Sequence, residues 1–221
     1  LVNIKIIPNY LSTKFMGITI ITQAFHYFCA VKEPIKLVIL ISGKGSNARN
    51  LVNYFKKHPE AQVCGVLSSK QNPEMESYCI GNQLFYHEFA PWNEAQALDV
   101  LMSHGCDVVI LAGFLKKIST EFITSFSNRI INIHPSLLPK YGGAGMYGRR
   151  VHEAVFANKE SNTGITVHVV NEQYDEGEIL IQHECAVHSD DTPATIEAKV
   201  QELEHQFFPS AVEHYCLSLK R

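Results

Sequence analysis

The chain has 221 residues, a formal net charge of -3, 46% hydrophobic residues and 19% charged residues. That composition supports one sizeable core, and its short charge runs, such as Lys116-Lys117 and Arg149-Arg150, leave no nucleic-acid footprint. The six cysteines, Cys29, Cys64, Cys79, Cys106, Cys185 and Cys216, form no C-x-x-C pair, which excludes a zinc knuckle or thioredoxin motif and predicts a reducing, cytoplasmic setting.

Residues 1–34 read as an N-terminal extension outside the core, and residues 35–221 as one domain. Phe15 to Val31 is largely apolar but broken by Thr19, Thr22, Gln23 and His26. It is too short and too polar for a membrane span of about 20 residues. Lys5 and Lys14 ahead of it also fit a signal peptide. The preferred reading is an extension, with Met16 as one start of translation.

From Lys36 the pattern is regular. Lys36 to Ile41 is a continuous apolar run, as in a strand buried on both faces. Asn47 to His58 has Leu51, Val52 and Phe55 at helical spacing. Gln62 to Leu67 reads as a strand, Pro73 to Ile80 as a helix and Leu84 to His87 as a short strand. Glu94 to Met102 is an amphipathic helix closed by Gly105. Asp107 to Ala112, Arg129 to Ile133, Thr163 to Val170 and Ile179 to Val187 are four more strands. Thr192 to Cys216 is a long final helix, capped by Thr192, with Pro193 at its first position and Pro209 as an expected break. Strands alternating with helices predict an α/β fold. It is Rossmann-like, with a mostly parallel open sheet, helices on both faces and right-handed crossovers. Ligands of such sheets collect beyond the carboxyl ends of the strands.

Two of those ends carry chemistry. After the first strand comes Ser42-Gly43-Lys44-Gly45-Ser46-Asn47-Ala48. Glycines admit close backbone approach, and a helix starting near Ser46 aims N–H groups at an anion. A P-loop is excluded, because Val38 stands where its first glycine belongs. Gly43, Gly45 and Ala48 do match GxGxxA. The acidic residue expected about 20 positions on is replaced by Ser68, Ser69 and Lys70. A phosphate site is the better reading.

The fifth strand ends in Asn132-Ile-His134-Pro135. Asn132 and His134 are two apart, so they leave the strand on one side. An amide can donate to a developing oxyanion, and a histidine can transfer protons near neutral pH. No GxSxG elbow is present, so the substrate's own nucleophile must attack. The histidine's carboxylate partner would come from the loop after Val170, where Glu172, Asp175 and Glu176 are all open to the role.

Ser42 to Asn47, Asn132-Ile-His-Pro-Ser-Leu-Leu-Pro-Lys-Tyr141, Gly164 to Asn171 and Asp175-Glu-Gly177 resemble the phosphoribosylglycinamide formyltransferases, a family of folate-dependent formyltransferases. The resemblance runs from Lys36 to Tyr215. It implies that residues 35–221 are a catalytic domain with Asn132, His134 and Asp175 as its catalytic group. It also implies that Gly43, Lys44, Gly45, Ser46 and Asn47 hold the substrate phosphate and that Glu204 contacts the same substrate. Leu115, Lys116, Lys117, Ile118 and Asn132 would line the pocket for 10-formyltetrahydrofolate, the co-substrate. The partners implied are small molecules, not nucleic acid or membrane, and no metal is expected. The implied chemistry is direct attack of an amine on the formyl carbon, with a protonated His134 kept charged by Asp175. Tyr141 to Gly148 is longer than in the shorter family form and is expected to be a mobile cover. Asn93 stands where the family often has a basic residue. The related methionyl-tRNA formyltransferases and formyltetrahydrofolate hydrolases carry additional domains that are not expected in this chain. A non-catalytic dinucleotide-binding module would leave Asn132 and His134 unexplained.

Overall fold

The computed structural model describes residues 33–219, and everything from Pro34 onward groups into one unit. The reading of residues 1–34 as an extension therefore falls almost wholly outside the described residues. The elements run β1 (Ile35–Ile41), α1 (Ser46–Phe55), β2 (Ala61–Ser68), α2 (Pro73–Gly81), β3 (Phe85–Glu88), α3 (Glu94–Ser103), β4 (Val108–Leu111), α4 (Thr120–Ser125), β5 (Ile130–His134), α5 (Arg149–Ala157), β6 (Asn162–Val169), β7 (Ile179–Ala186) and α6 (Pro193–Ser218). In space the strands lie in the order β3-β2-β1-β4-β5-β6-β7. The first five are parallel, while β6 and β7 each pair antiparallel. The mostly parallel Rossmann-like sheet is thus as expected, with element ends shifted by a few residues.

The central strand explains the two cores. Successive side chains of β1 point to opposite faces. Leu37, Ile39 and Ile41 pack with Leu51, Val52 and Phe55 of α1, Met75 of α2, Val155 of α5 and Phe208 of α6. Val38 and Leu40 pack on the other face with Ala97 and Leu101 of α3 and Phe122 of α4. The strand order turns back between β1 and β4, so a crevice opens past their carboxyl ends.

Three features depart from the sequence reading. Helix α4 has only six residues, too few to show a helical period. Helix α5 starts directly after the glycine-rich stretch that reads as loop. Helix α6 runs unbroken through Pro209. Proline at 209 cannot donate to the carbonyl of His205, four residues back. Asn50 of α1 takes that carbonyl instead, its Nδ2 donating at 2.7 Å. Phe208 and Pro209 are meanwhile buried against the core. Asn50→Leu should therefore destabilise the fold by about 1 kcal/mol, the worth of one such bond. Chemical denaturation would measure it, and an unchanged midpoint would show that packing alone tolerates the proline.

Among the described residues no helix is long and apolar enough to cross a membrane, and no group of His, Cys, Asp or Glu is arranged to hold a metal ion.

Candidate active site

A cleft of about 680 Å³ runs along the carboxyl ends of the strands. Its rim is tied together where β1 and β4 end. Ser42 donates its backbone N–H to the Gly113 carbonyl, and its Oγ accepts from the Leu115 N–H at 2.8 Å. Gly45 stands at the N-cap of α1 with φ of 77°, a conformation that favours glycine, and a Cβ there would lie 2.3 Å from Met75 Cε. Side chains cap α2, α3, α4 and α6, but none caps α1 or α5. The first amides of α1 are thus left for an anion from the cleft.

Asn47, in the first turn of α1, is 8% exposed. Its Nδ2 donates to Glu204 Oε2 of α6 at 2.7 Å, while its Oδ1 has no partner. Burial pushes the Glu204 carboxyl above the usual range, against the pull of the Asn47 bond. Asn93 caps α3, its side chain accepting from the Gln96 N–H.

On the far wall, β5 brings Asn132 and His134 to the cleft. The loop after β6 bends back because Gly177 lies against the strand, where a Cβ would stand 1.6 Å from the Val169 carbonyl oxygen. This carries Asp175, at φ of 57°, between two histidines. Its Oδ2 lies 3.6 Å from His134 Nδ1 and its Oδ1 lies 3.6 Å from His168 Nε2. These are close ion-pair separations but long for hydrogen bonds. Asp175 Oδ2 instead accepts from the Gly143 N–H at 2.8 Å.

The hydrogen bonds assign the tautomers. A carbonyl oxygen only accepts. His134 Nε2 lies 2.8 Å from the Tyr141 carbonyl oxygen, so Nε2 carries the proton. His168 Nδ1 lies 3.1 Å from the Val169 carbonyl oxygen, so its Nε2 is the acceptor. Asn132 Nδ2 donates to that nitrogen at 3.0 Å, leaving its second N–H free.

Burial favours neutral His134, which is 4% exposed, and this outweighs the opposing Asp175 charge and Tyr141 carbonyl. Burial thus favours the neutral ring in the free protein, whereas the resemblance implies an imidazolium in the reaction. For Asp175, burial works against the carboxylate, but the charged forms of His168 and His134, together with the Gly143 N–H, hold its pKa below the ordinary value. The resting pair is an anionic aspartate and a neutral imidazole.

Gly43 to Asn47, Leu115 to Ile118, Asn132, His134, Asp175 and Glu204 all line this one cleft. Of the three acidic candidates, Asp175 faces His134, Glu172 lies on the wall, and Glu176 is not among the lining residues. His168 was missed. Its only sequence signal is a histidine inside an apolar strand, and its role follows from the antiparallel register that sets it opposite Asn132.

A doubly wound sheet whose switch-point cleft joins an amide, an imidazole and a carboxylate defines an α/β enzyme fold with a group-transfer type of site. The chain belongs to the Formyl transferase family, which it matches over residues 35–212. It is 35% identical over 190 residues to the chloroplastic phosphoribosylglycinamide formyltransferase of Arabidopsis thaliana, covering 82% of this chain and 65% of that relative. It is 30% identical to the Haemophilus influenzae phosphoribosylglycinamide formyltransferase, over 81% of this chain and 86% of that protein. The crystal structure of the Brucella melitensis phosphoribosylglycinamide formyltransferase superposes with a TM-score of 0.74 at 30% identity, covering 83% and 96% of the two chains. The chain thus spans just under two thirds of the Arabidopsis relative's length.

Proposed function

We propose that this protein transfers the formyl group of 10-formyltetrahydrofolate to the amine of phosphoribosylglycinamide in purine biosynthesis, with residues 35–221 as its catalytic domain. The observation that carries the reading is the joining, in one cleft, of the uncapped start of α1 with the Asn132–His134–Asp175 group. In this reading the acceptor phosphate meets the amides of Gly45, Ser46 and Asn47, flanked by Gly43 and Lys44. Leu115 to Ile118 line the folate side, with Glu204 on the acceptor side. The free thiols of Cys64, Cys79, Cys106, Cys185 and Cys216 support a reducing compartment, which we take as the cytoplasm.

The chemistry follows from the protonation states. The second N–H of Asn132 donates to the formyl oxygen as the amine attacks and charge gathers there. His134 Nδ1 carries no proton at rest and can take one from the attacking amine. Asp175, 3.6 Å away, stabilises the imidazolium that forms. The same proton then goes to the departing folate nitrogen. The C–N bond to the acceptor forms, the bond to folate breaks, and no net proton is lost.

The direct test is formyl transfer to phosphoribosylglycinamide. Formate release without acceptor would instead mark a hydrolase. Asn47→Leu should raise the acceptor KM far more than the folate KM, since it perturbs the first turn of α1 and strips Glu204 of its partner. Equal rises for both substrates would remove the loop from the acceptor site. A chain beginning at Glu33 is expected to fold and to transfer formyl groups. An insoluble product would show that the preceding residues belong to the core.

A further inference from the structure

Helix α6 turns Glu197, Val200, Gln201 and Glu204 to the cleft. These positions share one helix face. Glu204 marks the phosphate end of the row, because Asn47 bonds to it. Glu197 lies two turns earlier, roughly 10 Å along the axis. Beside that end stands His152 of α5. It lines the same cleft, is 3% exposed, and its Nδ1 has no hydrogen-bond partner. Burial keeps it neutral, opposed by Glu197 and reinforced by His134, so both residues are its electrostatic neighbours. A buried imidazole nitrogen without a partner lowers stability. Packing alone gives no reason for a histidine at 152, and the proposed reaction has not yet used it.

We infer that His152 and Glu197 form the pocket for the glycinamide arm of the acceptor, hydrogen-bonding its amide and amine. The inference rests on the proposed function. With the phosphate at the start of α1 and the reacting amine beside His134, the acceptor lies along the α6 row. Its ribose hydroxyls face Glu204 and its arm faces Glu197. The arm offers N–H donors next to one carbonyl. A carboxylate only accepts, and a neutral imidazole both donates and accepts, so the pair matches an amide beside an amine. Glu197 also attracts the amine when it arrives as an ammonium, while neutral His152 adds no repulsion.

The test compares His152→Leu and His152→Gln with the wild-type enzyme. The leucine variant should raise the acceptor KM about tenfold or more, as for one lost bond in a cleft. The folate KM and the inhibition constant of ribose 5-phosphate, which lacks the arm, should stay unchanged. The melting temperature should not fall, because the unpartnered nitrogen is gone. His152→Gln, which keeps a polar end, should restore most of the acceptor KM. An unchanged acceptor KM in His152→Leu overturns the inference, as does a loss that extends equally to ribose 5-phosphate. If the wild-type enzyme formylates nothing, the proposed function fails. Calorimetric binding of phosphoribosylglycinamide then still decides the pocket, which is overturned if the wild type does not bind or the leucine variant binds equally well.

Discussion

Asp175→Asn is expected to lower turnover by on the order of 10²-fold or more, with much smaller changes in substrate binding. The substitution keeps the size of the side chain and removes its charge. At rest the charge matters little for His134, because burial already holds the ring neutral. In the proposed reaction it matters when the buried His134 takes the amine proton and becomes an imidazolium. The sign of the pH effect follows. Asp175 raises the His134 pKa, although burial keeps it below the ordinary 6.5. Removing the carboxylate should lower it further, so the acid limb of the pH–rate profile should move to lower pH as the plateau drops. Glu172→Gln and Glu176→Gln, without that contact, should leave both features in place. NMR titration of His134 in wild type and Asp175→Asn checks the assignment. An unshifted titration with near-normal turnover would remove Asp175 from the mechanism.

The same groups set the response of the fold to acid. His134 and His152 have folded pKa values below 6.5, and that of Asp175 lies below 3.8. In each case the unfolded chain binds the proton more readily. The stabilisation from the histidines is complete above pH 6.5 and is lost as pH falls through their folded values, and that from Asp175 is lost at still lower pH.

What the sequence made legible follows period and spacing. The apolar run of β1 and the alternation of strands with helices specify a doubly wound sheet, because a strand buried on both faces has few alternatives. Asn132 and His134 are readable as a pair because two residues apart on a strand means one face. The glycine loop after β1 is readable because its glycines stand where a strand gives way to a helix, and at Gly45 the positive φ and Met75 leave no room for a side chain. Other features depend on contacts distant in sequence. Asn50 rescues a proline in a helix that it meets 155 residues later. His152 reaches the cleft only because α5 follows the glycine stretch. The resting charge of His134 depends on burial, which motif spacing does not encode.

The Asn132–His168 contact gives the last large effect. In the proposed reaction Asn132→Ala removes the donor to the formyl oxygen, and the loss in kcat should be about 10² to 10³-fold, as for one oxyanion donor. His168 would touch no reacting atom in this reading. Its Nε2 accepts one Asn132 N–H and so points the other at the substrate. It is a positioning residue, and His168→Leu should lower kcat by about tenfold, a fraction of the Asn132 effect. Because His168 acts through Asn132, the two losses should not add. The double variant should be no slower than Asn132→Ala alone, the non-additivity expected of groups that act as a unit. Measuring kcat for the four proteins, with substrate affinities to confirm an intact cleft, decides it. A double variant slower by the product of both single losses would give His168 an independent part in the reaction and leave the orientation of Asn132 without its proposed cause.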